Sequence, residues 1–312
     1  MNTRSLLASR RRTMAVLLLL AAALLLFTTA MVRRGHSAPA SPQLVVVTTL
    51  PPLADITREL GGDRVSVASL LPAGASPHTF EPRPSDVRRL ATARLIIRIG
   101  AGLDDWVAPM LRAAAQPHQV QLDLSSHVTL LQSVDEHTGR SAPNPHYWLD
   151  PLRVRDEIAP AIAARLSDLD PAGKAYYADR LARYRETLTA LDTELRQTLA
   201  PVRGLRFIAM HSAWPYLAAR YDLQEVAAIE EFPGREPSAA WLADLQRLAR
   251  QHNVHTIAAE QQFNPQIARL LAQAVGGVLI TLDPLGGPGV EGRQTYVELM
   301  RYNARQFLEA RP

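Results

Sequence analysis

Cysteine is absent from the 312 residues. Its absence excludes disulfides, thiolate metal sites and a lipid-modified N-terminal cysteine, and leaves metal chemistry to histidine and carboxylate. An oxidising compartment permits disulfides but does not demand them in a chain able to bury a large core, so the absence is compatible with export. Familiar catalytic signatures are missing as well. There is no HExxH pair for a helix-borne zinc peptidase site, no GxSxG elbow and no phosphate-cradling P-loop. The glycine-rich Gly286-Gly287-Pro288-Gly289 does not open a helix directly after a strand, so it is not a phosphate cradle. Hydrophobic residues at 47% and charged residues at 21% exclude disorder and collagen-like classes.

What is present divides the chain at about residue 40. Arg10, Arg11 and Arg12 precede an apolar run from Met14 to Phe27, and small residues follow in SAPASP. A positive region, an apolar region and an Ala-Pro-Ala tripeptide read as an export leader over residues 1–40. Met14–Val32 is also long enough for a membrane anchor if it is not cleaved. The leader carries Arg4, Arg10, Arg11, Arg12, Arg33 and Arg34 and no acid. Taking those six from the 34 basic residues leaves 28 against 30 acidic, a formal charge of −2. The sequence pI of 9.7 therefore belongs to the leader and offers no nucleic-acid footprint.

Beyond the leader, β-branched runs alternate with helical segments, the pattern of parallel sheets covered by helices. Strands are expected at Leu44–Thr49, Arg64–Leu71, Leu95–Ile99, Val120–Leu124, Arg206–Met210, Glu225–Ile229, Thr256–Ala259 and Val278–Leu282. Helices are expected at Asp55–Leu60, from Pro84 to Ala91, near Asp105–Ala114, and over Ser238–Gln251, Pro265–Val275 and Thr295–Glu309. Between the halves, Tyr177, Leu181, Tyr184, Leu188, Leu191, Leu195 and Leu199 recur at three- and four-residue spacings. They form one apolar stripe on a helix of about 28 residues, roughly 40 Å long. The expected organisation is an α/β lobe over 41–170, a linking helix over 171–200 and a second α/β lobe over 201–312.

Four metal-capable side chains occupy suggestive places. His211 follows the apolar run Arg206–Met210, and Asp283 follows Val278–Leu282. Ligands in open α/β sheets bind outside the carboxyl ends of the strands. His78 in SPHTFEPRPSD and His146 in NPHYWLDP stand in proline-flanked loops of the first half. Taken singly, each has an ordinary reading: a loop histidine, a packed core histidine, a helix cap at His211, a turn former at Asp283. Together they make a three-imidazole, one-carboxylate set suited to four-coordinate zinc. The other histidines are poorer candidates. His118 leads into a strand, His127 and His137 lie in a polar loop, and His252 and His255 flank a helix end.

At these residues a resemblance emerges. LLPAGASPHTFEPRPSDVRRLATARLII, NPHYWLDP, DPAGKAYYADRLARYRETLTALDTEL, MHSAWPYLAARYDL, EPSAAWLADL, AAEQQFNPQIARLLAQAVGGVLITLDPLG and TYVELMRYNARQF occur in order from about Leu44 to Leu308. This series resembles the zinc- and manganese-binding periplasmic receptors of ABC transporters, the cluster A-I solute-binding proteins of TroA/ZnuA type. The resemblance implies an α/β fold of two lobes with mainly parallel sheets, linked by one long backbone helix, with the metal in the interlobe cleft. It implies His78, His146, His211 and Asp283 as ligands, and leaves Glu260 and Asp150 either as acceptors behind the ligand imidazoles or as structural residues.

The same resemblance implies Zn2+ as cargo, with Mn2+ or Fe2+ as alternatives, because manganese-selective members tend to carry Glu where this chain has His211. Ser212 stands where the family carries an acid, and the short 125–144 loop holds only two histidines. The implied partners are an ABC permease and its ATPase subunit, for a periplasmic, monomeric receptor that is not an enzyme. Membrane contact would come only through the leader or the permease. The competing expectations are a zinc-dependent hydrolase, which needs an open coordination position, and an adhesin built on the same scaffold.

Overall fold

The computed structural model describes residues 43–134 and 141–310, so the expected leader, with Met14–Val32, and His137 lie outside the described residues. No helix among the described residues is long and apolar enough to cross a membrane.

In the first half, β1 (Leu44–Thr48), α1 (Pro51–Gly61), β2 (Val65–Ser69), α2 (Pro84–Ala91), β3 (Leu95–Arg98), α3 (Val107–Ala114) and β4 (Val120–Asp123) alternate. A short antiparallel hairpin, β5 (Gln132–Val134) and β6 (Ser141–Pro143), follows. Next comes a helical run: Pro151–Arg153, a π turn over Val154–Ile158, and α4 (Ala159–Leu169). The sequence reading did not anticipate this run or the hairpin. The run's start signal is nonetheless present, because the Asp150 carboxylate accepts from the Leu152 N–H and Pro151 occupies the first turn.

The long helix is α5 (Lys174–Leu199), with 26 residues spanning about 39 Å. A 3-10 turn over Pro171–Gly173 precedes it, so it begins three residues later than the expected start at residue 171. The second half contains β7 (Arg206–Ala209), α6 (Pro215–Tyr221), β8 (Gln224–Ala228), α7 (Ala239–Gln251), β9 (Thr256–Glu260), α8 (Gln266–Val275), β10 (Val278–Leu282) and α9 (Tyr296–Glu309). Ser238 caps α7 by accepting from the Trp241 N–H. Thr295 and Glu298 form a capping box at α9.

Both main sheets are four-stranded and parallel, in the orders β2-β1-β3-β4 and β10-β9-β7-β8. Read from β8, the second order repeats the topology of the first. The reversal points fall between β1 and β3 and between β7 and β9, where the carboxyl ends open a crevice. No sequence similarity between the halves announced this duplication.

One core joins the two sheets. Val46, Leu95 and Leu122 of the first and Phe207, Ala258 and Leu282 of the second belong to one continuous cluster of buried side chains. The buried face of α5, with Tyr177, Tyr184, Leu188, Leu191, Leu195 and Leu199, completes it. Leu181 is only half-buried against its edge. Because α5 packs on α1 and α4 on one side and on α9 on the other, neither half can shed it without exposing apolar surface. Polar ties reinforce the joint. Tyr216 donates to the Asn144 carbonyl at 2.8 Å, Trp148 Nε1 to the Pro284 carbonyl at 2.8 Å, and Tyr296 Oη to the Trp148 carbonyl at 2.7 Å.

Leu188 is fully buried in this shared cluster. Truncation to Ala is expected to cost about 2–5 kcal/mol. Unfolding followed in urea by both fluorescence and far-UV dichroism should remain one transition at a lower midpoint. Two separated transitions would show that the halves do not share a core.

Candidate metal centre

His78, His146 and His211 converge although 68 and 65 residues separate His146 from the other two. Among the described residues they are the one group of three or more histidine, aspartate or glutamate side chains whose donor atoms all lie within 4.8 Å of one another. His146 Nε2 lies 3.4 Å from His78 Nε2 and 3.2 Å from His211 Nε2. Two nitrogens on a tetrahedral zinc, at Zn–N distances of 2.0–2.1 Å, are about 3.3–3.4 Å apart. The spacing therefore already matches the coordination polyhedron.

Local structure explains how each ring is aimed. His211 stands just past β7, and Glu260 ends the neighbouring strand β9, so both occupy the reversal point of the second sheet. Glu260 Oε2 lies 2.9 Å from His211 Nδ1 and turns Nε2 toward the cleft. The next helix begins at Pro215 with Trp214 at its N-cap position, which leaves His211 clear of any capping duty. His146 follows the β5–β6 hairpin. Asn144 Oδ1 accepts from both its backbone N–H, at 2.9 Å, and its ring Nδ1, at 3.0 Å. With Nδ1 protonated, the neutral ring offers its Nε2 lone pair. His78 is half-buried in the irregular stretch between β2 and α2, its N–H bonded to Ser76 Oγ at 3.3 Å.

The rings line a cavity of about 10 Å³, room for a single water-sized sphere, with Trp148, Glu260, Gln262, Phe263 and Leu285 among its walls. Burial, helped by the charge of His211, lowers the His78 pKa to about 3. Burial, with both neighbouring imidazoles, holds His146 well below the ordinary range. For His211 burial pulls the same way, but the charge and hydrogen bond of Glu260 outweigh it, with Glu225 and Glu230 adding, and the pKa rises. The site thus holds His78 and His146 toward their neutral forms, while Glu260 favours the protonated form of His211.

The remaining expected residues lie elsewhere in the network. Asp283 is buried next to the cavity walls Pro284 and Leu285, but its oxygens do not join the three-histidine group. Its carboxylate is engaged by Arg293, Gln262 and the N–H groups of Leu285 and Gly286. Asp150 takes a structural role rather than backing an imidazole. It pairs with Arg220 through two bonds of 2.9 and 2.8 Å and caps Leu152, which makes it a tie between the halves. The acceptor behind His146 is Asn144, whose Nδ2 also donates to the Ser212 carbonyl at 2.9 Å.

Sequence reading missed Asn144, although an Asx residue two positions before a histidine is a known local acceptor pattern. It also missed Glu225 of β8, which accepts from the Trp214 N–H at 3.0 Å and from the Ser212 side chain. Burial pushes its pKa up to about 7 against those bonds. Only the pairing of β7 with β8 brings it there. His118, His127, His252 and His255 are all exposed and stand apart from the group.

The profile of one protein family, described as ZnuA, zinc-uptake complex component A, periplasmic, matches residues 46–310. The chain belongs to this family. A curated relative, the high-affinity zinc uptake system protein ZnuA of Bacillus subtilis, is 31% identical over 282 residues, covering 86% of this chain and 88% of its own length. A crystal structure of ZnuA superposes with a TM-score of 0.76 at 30% identity, covering 86% of this chain and 99% of that one. The laminin-binding protein Lmb of Streptococcus agalactiae, described as bifunctional with adhesin and metal-transporting activity, gives 0.75 at 30% identity, covering 86% and 99%.

The lowered His78 pKa carries a sign that can be measured. Between about pH 6.5 and 3 the unfolded chain binds a proton at His78 that the native site refuses, so this residue withdraws stability as pH falls through that window. His211 and Glu225, whose pKa values are raised, act in the opposite direction. The comparison with a variant isolates the single group. Lowering pH from 7 to 5 should cost the metal-free wild type about 2 kcal/mol more than His78→Gln, by denaturant unfolding. Equal slopes for the two proteins would mean that His78 titrates as an ordinary histidine.

Proposed function

We propose that the chain is an exported zinc receptor that captures Zn2+ in the cleft between its lobes and delivers it to the permease and ATPase of an ABC importer. The observation that carries this reading is the convergence of three imidazole Nε2 atoms at 3.2 and 3.4 Å on a cavity the size of one ion. Membership of the zinc-uptake family and the name of the Bacillus subtilis relative support zinc as the cargo. Donor chemistry agrees, because imidazole suits zinc whereas manganese favours more oxygen ligands.

In this reading His78, His146 and His211 hold the ion and Asp283 supplies the fourth ligand when Arg293 releases it. Residues 41–170 contribute His78 and His146, and residues 201–312 contribute His211 and Asp283. A small separation of those lobes would open the coordination sphere at the permease. A cavity of about 10 Å³ favours an ion over any organic substrate, which argues for a receptor rather than a three-histidine hydrolase. The periplasm is the expected compartment.

Chelator competition on residues 41–312 tests the proposal. Zinc should bind one to one with a dissociation constant below about 1 μM and more tightly than Mn2+. His78→Ala, His146→Ala or His211→Ala should each weaken zinc by at least about 100-fold, beyond the roughly 10–100-fold typical of outer partners. Zinc affinity unmoved by all three substitutions would remove the site assignment, and tighter Mn2+ binding would remove the choice of cargo.

A further inference from the structure

Asp283 and Arg293, in one loop beside the cavity walls Pro284 and Leu285, form a buried ion pair, and the arrangement is asymmetric in a useful way. Asp283 Oδ1 is pinned by three donors: Gln262 Nε2 at 2.9 Å and the N–H groups of Leu285 and Gly286 at 3.0 Å. Among the described residues Oδ2 meets a single partner, Arg293 Nη1, at 3.1 Å. The backbone itself brings that guanidinium back. The chain turns after Asp283, the Gly287 N–H donates to the Arg293 carbonyl at 2.9 Å, and the Arg293 N–H donates to the Val290 carbonyl at 3.0 Å. Gly286, at φ 56°, permits the turn, and a Cβ there would lie 2.4 Å from the Arg293 carbonyl oxygen. The guanidinium also lies over the Tyr302 ring at 4.3 Å, a second favourable site for its charge.

We propose that Arg293 is a specificity- and release-determining residue: it is an internal cation that competes with the bound metal for Asp283 Oδ2. The inference rests on the zinc-receptor reading above and adds to it the group that sets selectivity and exchange. With Oδ1 fixed by neutral donors, Oδ2 is the oxygen free to change partners. When a metal takes Oδ2, Arg293 retains the Tyr302 face, so its charge stays buried nearby and opposes the metal. A carboxylate shared with a fixed cation is a weakened oxygen donor. The loss falls most on ions that depend on oxygen ligands and least on one already satisfied by three imidazoles. Arg293 therefore discriminates against Mn2+, and it speeds release of Zn2+ by recapturing Asp283 as the lobes part.

The test uses protein produced from the full chain, with Mn2+ binding read by electron paramagnetic resonance and Zn2+ by chelator competition and stopped-flow release. Arg293→Met should tighten Mn2+ by about 10-fold or more, tighten Zn2+ by a smaller factor, and slow zinc release. Arg293→Lys, which keeps the charge, should retain wild-type selectivity. The double variant Arg293→Met, Asp283→Asn should lose the Mn2+ gain. Arg293→Gln serves the same comparison if the Met variant does not fold. A folded Arg293→Met or Arg293→Gln protein with the wild-type metal ratio and zinc off-rate would overturn the proposal, as would a Lys variant that behaves like Met. Wild-type protein that binds no zinc through its histidines would instead overturn the receptor reading.

Discussion

His146 Nε2 and His211 Nε2 stand 3.2 Å apart in a buried cavity, a spacing that is favourable only with a shared proton or another cation between them. That requirement is the constraint on which the rest of the structure depends. Asn144 assigns the His146 proton to Nδ1, and Glu260 engages His211 Nδ1, so both Nε2 atoms are turned into the same small space. In water the rings would rotate apart. Here they are held by buried acceptors whose own alternatives are worse, because an unpaired buried polar group costs more than the crowding.

Holding such a site open requires a stiff frame. The duplicated parallel sheets place His211 and Glu260 at the reversal point of the second sheet, on adjacent strands whose spacing is set by backbone hydrogen bonding. The opposing half brings His78 and His146 on loops, which a shared core and several polar ties keep in register. Asn144 is the most economical of these ties. One amide orients His146 and bonds the carbonyl next to His211, so it links ligand loops from both halves. Asp150 and Trp148, in the same short motif, reach Arg220 and the Pro284 carbonyl. The segment from Asn144 to Asp150 thus acts as the keystone between lobes.

Much of this was legible in the chain. Eight parallel strands were read to within one or two residues, because strands buried on both faces show as continuous β-branched runs. The stripe on α5 predicted its buried face, with Leu181 the one residue left half-buried. His78, His146 and His211 stood out through their placement beside prolines and strand ends. Asp150 takes the structural one of its two expected roles, because an acid near a ligand in sequence need not face it. Its partner Arg220 is 70 residues away and could be known only from the packing of the two halves.

Residue chemistry and periodicity, which act over a few positions, were enough for the fold class, the parallel strands, the linking helix and the three histidines. Only the folded molecule decided which groups meet. It set the 3.2 and 3.4 Å spacing of the Nε2 atoms, the choice of Asn144 rather than Asp150 behind His146, and the pairing of Asp283 with Arg293. These depend on contacts between segments distant along the chain, or on a loop that doubles back. Sequence spacing carries no information about such distances, and a carboxylate reads the same whether its neighbour will be a metal or a guanidinium.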